Sequence, residues 1–121
     1  MDKKIKRKWI NALRSRKYKQ TQECLRYIIK KDEKGNCTYG YCCLGVLCDI
    51  VDKKGWSEVS NGGYNGHDDF IYKDKASDID LPENLLADIK LSKEEMHELV
   101  HMNDSGGKKF YQIAKWIEKN L

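Results

Sequence analysis

Long apolar runs are missing from this chain of 121 residues. No stretch approaches the ~20 consecutive apolar residues that a membrane-spanning helix needs, so a bilayer is not its expected environment. Proline occurs once, at Pro82. The five cysteines, Cys24, Cys37, Cys42, Cys43 and Cys48, contain no C-x-x-C pair. An odd count with two adjacent members is also a poor disulfide framework. In a reducing compartment such thiols stay free and bury as small hydrophobes. There are no internal repeats and no low-complexity tails. The opening MDKKIKRKWINAL is basic but lacks the apolar stretch of a secretion signal. A soluble, cytoplasmic protein is therefore expected.

What is present suits one globular domain over residues 1–121. Hydrophobic residues make up 40% and charged residues 35%, enough for one core beneath a polar surface. The charge is unevenly placed. Residues 1–20 hold nine Lys or Arg against one Asp, although the whole chain carries only +4. Such an end can meet a nucleic acid or a phosphorylated small molecule. It can equally pair with the acidic remainder, in the same chain or in a second copy, or stay solvated.

The pattern predicts an α+β fold with about five helices and a small antiparallel sheet. Ile5, Trp9 and Leu13 recur every four residues, which predicts a helix over 4–14. CLRYIIKK at 24–31 is rich in strand formers, DEKGN is a turn signal, and CTYGY returns as the second strand of a hairpin. CCLGVLCDIV at 42–51 reads as a short helix buried on most sides, with Gly45 allowing close packing. Residues 52–80 read as a long irregular stretch with room for a small hairpin, and Trp56 and the FIY run at 70–72 are its apolar islands. Leu81-Pro82-Glu83-Asn84 opens a helix. Ser92 with Glu95 forms a capping-box pattern for a helix ending near Met102. The last helix, from about Gly107, carries Phe110, Ile113, Ala114, Ile117 and Leu121 on one stripe.

Three segments invite chemistry. HELVH, from His97 to His101, matches H-E-x-x-H, in which two histidines one helical turn apart hold zinc and the glutamate serves as base. A third ligand is needed, and Glu118 and His67 do not stand at zinc-peptidase spacing. The histidines also fall at the edge of the polar face, where a solvated helix explains them. CLGVL, at a strand-to-helix junction, resembles the C-S-G-L-V segment of cysteine peptidases whose nucleophile opens a helix. That chemistry needs a histidine on a following strand, whereas the later segments here are helical, so buried core thiols are expected. NDSGGKK at 103–109 joins two helices. Asp104 or Ser105 can cap the second helix, and two glycines followed by two lysines can leave free amides beside cations, an anion seat. A plain helix–helix turn is the alternative.

Several segments together resemble a known group. They are Trp9-x-x-Ala12-Leu13, Tyr18-x-Gln20, Tyr41-Cys42-Cys43-Leu44-Gly45-Val46-Leu47-Cys48, Leu81-Pro82, Asn103-Asp104-x-Gly106 and Phe110-x-x-Ile113-Ala114-x-x-Ile117-Glu118. This pattern is similar to that of small proteins encoded by tailed bacteriophages, and it covers most of the chain outside 52–80. The resemblance implies an accessory protein of the bacterial host cytoplasm, with no requirement for histidine at 97 or 101. It also implies core roles for Trp9, Leu13, Leu44, Val46, Phe110 and Ile113, and leaves Gln20, Asn103 and Asp104 as its polar members.

The expected function is a non-enzymatic, homo-oligomeric binder that sequesters an anionic, nucleotide-like ligand, such as a host immune signal. No catalytic residue and no cofactor is expected. Arg7, Arg14, Arg16, Lys19 and Lys108 would supply charge, Trp9 or Tyr18 a stacking surface, and Gln20, Asn103, Asp104 and Ser105 polar contacts. The alternatives are a nucleic-acid binder, a host-protein-blocking module, or a zinc hydrolase using His97 and His101.

Overall fold

A computed structural model describes residues 1–59, 69–72 and 81–121. His67 lies outside these residues, as does most of the stretch expected to be irregular. The fold is α+β.

Helix α1 spans Lys3–Arg14, and the Asp2 side chain caps it by accepting the Ile5 N–H at 2.9 Å. Its apolar stripe turns inward, burying Trp9, Ile10 and Leu13, while Lys3, Lys4 and Lys8 face out. Four strands flank the next helix in sequence: β1 (Lys19–Gln20), β2 (Arg26–Lys31), β3 (Cys37–Tyr41) and, after it, β4 (Trp56–Val59). With β5 (Asp69–Tyr72) they form one sheet in the order β1-β3-β2-β5-β4.

The expected hairpin is β2–β3, antiparallel, with a register shift between Ile28 and Lys30. Its turn closes on Asp32, whose side chain accepts the N–H groups of Lys34 and Asn36. The sheet is nonetheless mixed, because β1 runs parallel to β3. Two chain reversals, one on each side of β2, leave β1 and β3 pointing the same way. Within 52–80, a 3-10 turn at Lys53–Gly55 leads into β4, which pairs antiparallel with β5. That segment therefore extends the sheet, and β5 meets β2 at Tyr27↔Asp69.

Helix α2 (Cys43–Val51) is the centre of the core, with Cys43 through Asp49 all buried. A Cβ on Gly45 would collide with the Leu25 carbonyl oxygen, so glycine is what lets α2 lie on the chain entering β2. Helix α1 packs on α2 and on α5 (Phe110–Asn120), and α4 (Lys93–Asn103) covers the other side of α2. The Trp9 indole N–H donates to the Cys43 carbonyl at 2.9 Å, tying α1 to the first turn of α2. Helix α3 (Glu83–Ile89) closes the bundle through Leu85, Leu86 and Ile89, with Pro82 one position ahead of its first helical residue.

The Ser92–Glu95 capping box is formed as expected. The last helix begins later than expected, at Phe110 rather than near Gly107. Gly107 has φ +62° and the Lys108 N–H donates back to the Met102 carbonyl, so the loop is still closing α4 at that point.

Candidate functional site

Residues 14–20 leave α1 and cross to β1, and this segment organises the site. Arg16 has φ +62°, a left-handed conformation that side chains rarely adopt, just beyond the C-cap Ser15. From there the side chains part to two sides. Arg14, Arg16, Tyr18 and Gln20 line a cleft of about 390 Å³ with Leu13, Phe110 and Tyr111. Lys17, Tyr18 and Lys19 line a second cleft of about 430 Å³ with Tyr39, Tyr41, Asp49 and Lys53. Tyr18 belongs to both.

The two clefts differ in chemistry. In the first, Arg14 bridges to Glu118 at 3.1 Å with both side chains largely exposed, an interaction of low stability value. Arg16 is exposed, and Tyr111, on the same cleft, is 64% exposed. In the second, the floor is a carboxylate. Asp49 is 6% exposed and accepts the Tyr18 O–H at 2.7 Å and the Trp56 indole N–H at 3.2 Å. Burial, and then the bond to Asp49, pushes the Tyr18 phenol well above its usual range, so it stays a donor. Tyr18 and Tyr41 meet edge to face at 4.9 Å between centroids. Further along the sheet the Arg26 guanidinium lies 4.1 Å from the Tyr39 ring centroid, 3.8 Å from that of Phe70 and 4.8 Å from that of Trp56. Stacking of this kind holds an arginine in place through its faces.

Other predicted residues lie elsewhere. Arg7 lines a separate cleft of about 280 Å³ between α1 and α5, where Arg14 is the shared member. Trp9 is 0% exposed with its N–H occupied, so it cannot stack on a ligand; the apolar stripe of α1 claims it for the core. Lys108 borders a further cleft of about 470 Å³, beside Met102 and Trp116, where none of the predicted arginines reaches.

Gln20, Asn103 and Asp104 do meet, but as a knot that holds the fold together. Asn103 is 1% exposed and makes four hydrogen bonds. Its Oδ1 accepts the Gln20 amide at 3.0 Å and the Cys43 N–H at 3.1 Å, while its Nδ2 donates to the Thr21 carbonyl and to Asp104. Gln20 also donates to the Lys108 carbonyl and accepts the Phe110 N–H at 3.0 Å. Asp104 does not cap α5; it accepts the Glu23 N–H at 3.0 Å. Ser105 pairs with His101 Nδ1 at 2.8 Å.

The expected anion seat at 103–109 is therefore filled from within. The N–H groups of Gly106, Gly107 and Lys108 donate to the carbonyls of His101, Asp104 and Met102. Those of Lys109 and Phe110 donate to the side chains of Gln112 and Gln20. An amide already bonded to protein has little left for a phosphate.

His97 and His101 are both exposed on α4. Among the described residues, no three His, Cys, Asp or Glu stand close enough to share a metal. The thiols of α2 are core groups. Cys42 sits at the N-cap and accepts the Gly45 N–H at 3.4 Å, yet burial outweighs that bond and pushes its thiol up to about 12. Burial likewise raises Cys43 and Cys48.

Tyr111, Asp49, Tyr39 and Lys53 are among the cleft residues that the sequence did not point to. Tyr111 stood on the outward face of an amphipathic helix, and Asp49 looked like the polar end of a buried one. Tyr39 and Lys53 come into place only when β3 and the start of the 3-10 turn are brought together. The model of a family described as a domain of unknown function (DUF8296) matches residues 1–121. No curated protein and no solved structure matches the chain.

Proposed function

We propose a binding rather than a catalytic role for this chain, which belongs to the DUF8296 family. The segment 14–20 captures an anionic, nucleotide-like ligand, whose charge is met by arginines on one side and lysines on the other. The observation that carries the reading is the convergence of this one segment on two clefts that share Tyr18. Each cleft falls within the about 300–1,000 Å³ of small-ligand sites.

Electrostatics and shape agree in supporting this. Arg14 and Arg16 present forked donors suited to phosphate, and Tyr111 presents an exposed ring on the same cleft. Arg16 is held in a backbone conformation that glycine would fill more cheaply, which fits a side chain kept for what it does outside the fold. Capture without conversion is the role favoured by the thiols, since the cysteines nearest a helix start are buried and held protonated. The resemblance to small phage proteins makes sequestration of a host signal, from a homo-oligomer, the biological form of the proposal.

The test is a thermal-shift series. Phosphate-bearing nucleotides raise the melting temperature of the wild type, and Arg16→Ala removes the shift. No shift with any nucleotide ends the proposal. A nucleic-acid ligand would instead show itself by affinity that falls steeply with salt and by indifference to mononucleotides.

A further inference from the structure

Asp49 is a buried carboxylate, and its charge has no cationic partner in the described ion pairs, which join Arg14 to Glu118 and Lys93 to Glu83. Its hydrogen-bond partners are neutral donors, the Tyr18 O–H on Oδ2 and the Trp56 N–H on Oδ1. A carboxylate offers about four acceptor positions, so each Asp49 oxygen can accept one bond beyond the one it already holds. Two positions are taken, and Asp49 lines the second cleft. Tyr18, Tyr39 and Tyr41 wall that cleft, and Lys17, Lys19 and Lys53 stand exposed on it.

We propose that this cleft is the base subsite of the ligand and that it selects guanine. The inference rests on the nucleotide reading above and names its base. Guanine presents its ring N1–H and its exocyclic amino group side by side, two donors spaced to match two acceptor positions of a carboxylate. Adenine presents one amino group next to a ring acceptor, which repels a carboxylate oxygen. Uracil presents one N–H between two carbonyls. Guanine alone of these fills both remaining positions of Asp49 without a repulsive contact. Its ring then lies among tyrosines, with Lys17, Lys19 and Lys53 at the rim, and its phosphate extends past Tyr18, which both clefts share, toward Arg16. Trp56 shares Asp49 and so reports occupancy through its fluorescence.

The experiment titrates guanosine, and the monophosphates of guanosine, inosine, adenosine and uridine, into the whole chain, reading tryptophan fluorescence. Inosine monophosphate keeps the ring N–H but lacks the amino group. Guanosine monophosphate binds at least about tenfold more tightly than the other three nucleotides, because each leaves an acceptor of Asp49 unfilled or opposed. Guanosine without phosphate binds more weakly than its monophosphate but still gives a signal. Asp49→Asn keeps the shape but only one acceptor oxygen for Tyr18 and Trp56, so it melts at a lower temperature than the wild type, and it brings the four nucleotides to within about threefold of one another. Equal binding of the four nucleotides by the wild type overturns the base assignment while leaving the nucleotide reading intact. A guanine preference that persists in Asp49→Asn overturns the role of Asp49. Absence of any binding overturns both readings. Should Asp49→Asn fail to fold, the guanosine–inosine pair measured on the wild type still decides the matter.

Discussion

Replacing Arg16 with glycine separates what this residue does for the fold from what it does for a ligand. Arg16 sits at φ +62°, past the C-cap Ser15 of α1, where the Cβ of an L-residue crowds its own backbone. Holding a non-glycine residue there costs about 1–2 kcal/mol. Glycine removes that strain but gains freedom in the unfolded chain, which returns about 0.5–1 kcal/mol. The side chain is exposed and has no ion pair among the described residues, so little else is lost. The net expectation is stabilisation by about 0.5–1 kcal/mol, or a melting temperature about 2–5 °C higher for a domain of this size. The same change removes a guanidinium from the cleft. A charge-assisted hydrogen bond to phosphate is worth about 1.5–3 kcal/mol, so nucleotide affinity falls about 10- to 100-fold. The assay is paired: thermal unfolding of the free protein by circular dichroism, then ligand titration of the same sample. A more stable protein that binds less is the expected result. A lower melting temperature would show that Arg16 makes contacts the strain argument leaves out. An unchanged affinity would remove Arg16 from the site.

Gly45→Ala sets a methyl group against the Leu25 carbonyl and destabilises the fold by about 3 kcal/mol or more, read as a lower urea midpoint. Asn103→Ala strands the buried Cys43 N–H and Thr21 carbonyl and costs about 3 kcal/mol, with α2 and α4 losing amide-exchange protection together. Stability also falls at high pH. Burial raises Cys42, Cys43 and Cys48 in the folded state, so their contribution is complete below the ordinary thiol range and is lost as pH climbs toward the folded value, about 12 for Cys42. Each buried thiol lowers stability by about 1.4 kcal/mol per pH unit above pH ~9, so a pH titration followed by circular dichroism shows cooperative unfolding before pH ~12. A flat baseline through that window contradicts the burial of these thiols.

The local parts of this fold are written in local sequence. The stripe of Ile5, Trp9 and Leu13, the Ser92–Glu95 box and the DEKGN turn each act within a few residues, and each forms as read. Strand β1 was not legible, because Lys19–Gln20 is short and polar and becomes a strand only by lying along Gly40–Tyr41. The site shows the same division. Its basic segment is visible as charge, but the separation into two clefts depends on where Phe110, Tyr111 and Asp49 arrive from distant elements. Trp9 misleads because an aromatic residue within a basic stretch suits both stacking and a core, and the helical period decides for the core. The anion seat misleads because free amides are inferred from glycines, while their partners, Gln20 above all, lie far away in sequence.

The most direct test of the central claim is a nucleotide titration followed by amide chemical-shift mapping of the whole chain. The expected shifts concentrate at residues 14–20, Asp49, Lys53 and Tyr111, with α4 around His97 and His101 undisturbed. Shifts centred on those histidines, or none at saturating nucleotide, would contradict it.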